Sequence, residues 1–138
     1  MNLQFQLKAM GALLVVLGLG HSMFGRYFGW GPELARLSLL TRQIFRVHCF
    51  FISLSLVLMG ACTLFYTDAL VGSGTLSHVV LTGFVVFWVA RWAFQLFVYD
   101  PAIWRGNCFY TCMHVVFSIF WTYVALIYGL ALRVAWRG

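Results

Sequence analysis

Acidic side chains are almost missing: Glu33, Asp68 and Asp100 are the only three in 138 residues. None falls inside a long apolar run. This scarcity excludes a di-iron carboxylate centre, a carboxylate proton relay and most cation transporters, which need carboxylates at membrane depth. Charge of either sign is also scarce, at 9% of residues, against roughly 25% in an ordinary soluble domain. That leaves no room for a separate soluble catalytic domain. The cysteines Cys49, Cys62, Cys108 and Cys112 form no CxxC pair and no zinc-ligand spacing. They read as small apolar packing residues. Cys108 and Cys112 share a helix face but have no neighbouring ligand.

What the chain does have is apolar mass. It is 63% hydrophobic and 19% aromatic, with a mean hydropathy of +0.92. The fold class is therefore all-α, an integral membrane four-helix bundle running up-down-up-down. Spans are expected at about 7–24, 43–66, 76–98 and 107–132 of a single membrane domain. Lys8 followed by an apolar run has the look of a signal peptide, but the segment reads as a retained helix. Gly11, Gly18 and His21 fall on one stripe of it, which predicts close packing against a neighbouring helix. Between the first two spans, Pro32 and Glu33 suit a first helical turn, and Tyr27, Phe28 and Trp30 suit an interface. A short interfacial helix is expected at about 32–40.

The net charge of +6 comes from basic residues at helix ends, where topology and anionic lipid account for it, so no nucleic-acid partner is expected. Arg26, Arg36, Arg42 and Arg105, with Arg46 and Arg91 just inside the spans, outnumber Lys8, Arg133 and Arg137. This places connections 25–42 and 99–106 in the cytoplasm and both termini outside. A bacterial cytoplasmic membrane is the expected location.

The third span holds the costliest residue. A charge such as Arg91 at the centre of a span costs about 2.5–3.5 kcal/mol on insertion scales. Gln95 lies one turn later on the same face. Four antiparallel spans would put His21, His48, Arg91, Gln95 and His114 in one leaflet, with Tyr110 on the face of His114. His78 belongs to the opposite end and reads as a surface residue. Each histidine alone is ordinary packing, and Arg91 alone could snorkel. Three histidines on three helices at similar depth point to an intramembrane site or to a hydrogen-bonded network that holds the bundle.

Several ligands fit that pattern. His48 and His114 could ligate the iron of a haem b, Arg91 facing the propionates, with Phe45, Phe51, Phe87, Trp88 and Phe117 as ring walls. The opposite leaflet holds no second histidine pair, which excludes a two-haem cytochrome. Alternatively, His, Arg and Tyr side chains could bind the carbonyls of a quinone. A metal on His21, His48 and His114 is a third reading, and bacteriochlorophyll on a single histidine a fourth.

Thr41-Arg-Gln-Ile-Phe45 with His48, followed by Phe87-Trp88, Arg91, Gln95-Leu-Phe97 and Asp100, resembles small bacterial four-helix membrane proteins of broadly DoxX-like architecture. The resemblance covers most of the chain and implies the fold, but no activity. In architecture alone the chain is also similar to the cytochrome b membrane anchors of respiratory dehydrogenases, though it has a single histidine layer. The expected function is a small membrane subunit of an energy-transducing or redox complex, working in electron transfer rather than as an enzyme by itself. Its partners would be the lipid bilayer and other membrane subunits. The alternative is a non-catalytic accessory subunit, since four helices cannot bury 6 Trp, 6 Tyr and 14 Phe among themselves.

Overall fold

The computed structural model describes residues 2–138. Its elements are α1 (Leu3–His21), α2 (Phe24–Tyr27), α3 (Gly31–Ala35), α4 (Leu39–Phe65), α5 (Thr67–Leu70), α6 (Thr75–Phe97), a 3-10 turn (Pro101–Ile103) and α7 (Cys108–Arg137). The described residues contain no strand. Four of these helices, α1, α4, α6 and α7, are long and apolar enough to cross a membrane. At about 1.5 Å per residue even α1 approaches the thickness of a bilayer core. Their outward apolar faces suit contact with lipid. In such a solvent, helix association rests on close packing and hydrogen bonding rather than on removal of apolar surface from water. The chain divides into two compact units, one of residues Lys8–Tyr66 and one of Thr67–Gly138 with the start of α1 up to Leu7.

In the first unit α1 and α4 pack antiparallel through glycine. A Cβ on Gly11 would lie 2.8 Å from both the Gly60 carbonyl oxygen and the Leu64 nitrogen. A Cβ on Gly60 would lie 2.7 Å from the Gly11 carbonyl oxygen. The two backbones meet where neither residue has a side chain, as the glycine stripe of the first span predicts. Further along, Gly18 faces Ser53 and Val57, and the Ser53 hydroxyl donates to the Gly18 carbonyl. The helix after Pro32 is shorter than expected and stops at Ala35. The Ser38 hydroxyl accepts from the Thr41 amide and starts α4 at Leu39 rather than near 43.

The second unit is an antiparallel hairpin of α6 and α7. Buried residues on α7 recur three and four apart, at Trp121, Val124, Tyr128, Ala131 and Ala135. On α6, Leu81, Trp88 and Gln95 recur seven apart and are buried too. Such spacings form a continuous seam along each helix. Cross-helix contacts confirm the direction: Phe84 meets Tyr128, Trp88 stacks on Trp121, and Gln95 meets His114. Asp100 caps the 3-10 turn that begins at Pro101, and Asn107 caps α7.

α7 continues to Arg137, beyond the expected end near 132. This extra turn changes the role of His78. Rather than a surface residue, it is half-buried, with Nε2 2.9 Å from the Ala135 carbonyl oxygen and its ring parallel to Trp136 at 4.6 Å.

Candidate functional site

The polar residues of the α6–α7 hairpin lie on its packing seam. Continuing the seam of α7 backwards from Trp121 gives Phe117 and His114. Gln95 is 6% exposed, and its Nε2 lies 3.0 Å from His114 Nδ1. The Trp104 ring covers one face of His114, with centroids 3.8 Å apart and an interplanar angle of 18°. Trp104 sits in the connection beyond the 3-10 turn, so that short turn fixes the lid over the imidazole.

The hydrogen bond sets the chemistry of His114. An amide nitrogen can only donate, so Nδ1 accepts and the neutral ring carries its proton on Nε2. The ring therefore offers a donor at its free edge. One turn before Gln95, Arg91 holds its guanidinium carbon 5.0 Å from the centroid of the Trp121 ring. Trp121 is itself stacked on Trp88 at 5.1 Å and on Phe117 at 5.6 Å. Lying over an indole face stabilises the cation by roughly 2 kcal/mol when the pair is desolvated, but it supplies no hydrogen-bond acceptor. The indole Nε1 atoms of Trp88 and Trp121 are buried without an acceptor among the described residues. Each such orphan costs about 1–3 kcal/mol. This stretch of the hairpin is rich in donors and poor in acceptors.

Of the residues expected in one site, the hairpin brings Arg91, Gln95 and His114 onto neighbouring turns. Tyr110 lies one turn before His114 on an exposed part of α7, beside Phe109. His21 and His48 belong to the first unit. His48 is exposed, with Nδ1 2.9 Å from the Ile44 carbonyl oxygen, so Nδ1 donates and the lone pair lies on Nε2. His21 lines a cavity of about 400 Å³ together with Arg26, Trp30, Phe45 and Arg46. Of the expected ring walls, Trp88 and Phe117 flank Trp121, Phe45 packs edge-on against Trp30, and Phe51 and Phe87 are exposed. No group of three or more His, Cys, Asp or Glu among the described residues could hold a metal ion. The four cysteines are free.

Sequence reasoning overlooked two indoles that matter here, Trp104 and Trp121. Trp121 had a readable signal, since it follows His114 by seven residues and shares its helix face. Trp104 had none, because it lies in an irregular connection. The fold is thus that of an all-helical protein with four potential membrane spans and an internal donor cluster in its second unit. No family model, no curated protein and no solved structure matches the chain.

Proposed function

We propose that the chain is a small membrane subunit of a redox complex in which Arg91, Gln95 and His114 bind the head group of a quinone. The Gln95–His114 hydrogen bond carries this reading. It orients a half-buried imidazole so that Nε2–H points away from its partner, available to a carbonyl oxygen. Arg91 is a second donor one turn away, and the carbonyl oxygens of a quinone are the acceptors that the region lacks. The half-buried Trp104 would offer a flat face to the ring. A bound quinone would supply the redox chemistry; the chain's own part is to bind the ring, orient it and donate hydrogen bonds from Nε2 and the guanidinium.

The same bond disfavours haem at this position. An iron ligand needs a free lone pair on one ring nitrogen while the other donates to an acceptor. His48 has that arrangement and His114 does not. The up-down-up-down bundle, the DoxX-like architecture and the cytoplasmic placement of connections 25–42 and 99–106 belong to this proposal.

A second reading has its own support. Gln95 and His114 both occupy the packing seam, where a paired polar contact in an apolar interface fixes helix register. In that case the chain is an accessory subunit, and the cluster is structural. Replacing both residues by leucine separates the two. A quinone site predicts a folded hairpin that no longer binds a short-chain quinone, followed by quenching of tryptophan fluorescence. A structural network predicts a wild type that binds no quinone.

A further inference from the structure

A different site lies in the first unit, where α1 ends and α4 begins. The cavity of about 400 Å³ has cationic and donor groups from three elements on its wall: His21 from the end of α1, Arg26 from α2 and Arg46 from the second turn of α4. Trp30, Phe45 and Phe50 add aromatic surface to its walls, with Leu34 beside them. Trp30 and Phe45 meet edge-to-face at 5.3 Å, which holds that wall in place. No carboxylate among the described residues lines the cavity. Glu33 lines a neighbouring one that shares Trp30 and Phe45.

From this we infer that the cavity binds a phosphate ester with an anionic head and an apolar body. Two arginines lining one cavity, with no carboxylate among its described lining residues, are matched by phosphate oxygens, each of which accepts charge-assisted hydrogen bonds. The aromatic walls take the apolar part. Position adds a third argument, because the cavity opens at one end of two helices long enough to cross a bilayer. There the phosphate of an anionic phospholipid would meet the arginines while its acyl chains follow the helix faces. A soluble phosphate ester is the other source of the same chemistry. The site is independent of Arg91 and His114.

The test uses the full chain, delipidated in neutral detergent and titrated separately with phosphatidylglycerol and with phosphatidylcholine, with native mass spectrometry counting bound lipid. The wild type should prefer phosphatidylglycerol. Arg26→Gln/Arg46→Gln should weaken that binding by at least about tenfold, while Arg133→Gln/Arg137→Gln should leave it unchanged. Should the double glutamine variant not fold, Arg26→Gln and Arg46→Gln singly serve the same comparison. Competition with glycerol 3-phosphate identifies the source. Displacement means that the phosphate ester alone suffices, and resistance means that the acyl chains contribute. Equal binding of the two lipids, or binding unaffected by loss of the arginines, overturns the inference.

Discussion

Gln95 and His114 meet across the hairpin with 3.0 Å between amide nitrogen and imidazole nitrogen, a side-chain bond that ties α6 to α7. A neutral hydrogen bond of this kind stabilises by about 1 kcal/mol, and loss of one partner leaves the other on the seam without it. Gln95→Leu and His114→Leu should each destabilise the hairpin by about 1–3 kcal/mol. The double variant should lose less than the sum, because two apolar groups replace the pair. Thermal unfolding in detergent across the four proteins measures that coupling. Additive losses would show that the two side chains do not interact.

Arg91 gives a prediction of opposite sign for stability and binding. Its guanidinium has a ring face for company, which offsets only part of the cost of holding a charge in a span. Arg91→Met should therefore leave the melting temperature unchanged or raise it, and should abolish quinone binding. Such trade-offs are expected where a strained polar group serves function. A variant that unfolds would instead mark Arg91 as structural.

The stack of Trp104 on His114 should matter to binding more than to folding. Trp104 is half-buried in a connection rather than in a helix seam. Trp104→Ala should weaken quinone affinity by about tenfold, the equivalent of 1.4 kcal/mol, with little change in helix content by circular dichroism. Unchanged affinity would remove Trp104 from the site.

Packing in the first unit depends on two glycines. Gly60→Ala places a methyl group 2.7 Å from the Gly11 carbonyl oxygen, a backbone atom that cannot step aside. Overpacking of this sort costs typically about 1–3 kcal/mol. Gly20→Ala meets nothing within 4 Å and should be neutral or stabilising. Thermal melts of the two variants make the comparison.

Much of this fold is legible in the residues. Long apolar runs broken by Pro32, Asp68 and Pro101 mark the spans, and the Gly11–Gly18 stripe predicts a close approach to a neighbouring helix, which the structure shows to be α4. Gln95 and His114 are found together because both lie near the same end of adjacent antiparallel helices. Less was legible where a local contact overrides the pattern. Ser38 was read inside a surface helix, whereas its hydroxyl starts α4. His78 gained its packing role from a helix turn beyond Leu132, a region whose arginines resemble an end signal. The stacking partner of His114 comes from an irregular connection, where no periodicity betrays a neighbour.

The central claim is that the hairpin binds quinone through a donating His114. The most direct measurement is quinone content of the purified chain, by solvent extraction, on the same sample used for a reduced-minus-oxidised visible spectrum. The account predicts stoichiometric quinone in the wild type, none in His114→Leu, and no b-type haem band in either. A b-type band that disappears in His114→Leu, or quinone retained equally by both proteins, would contradict it.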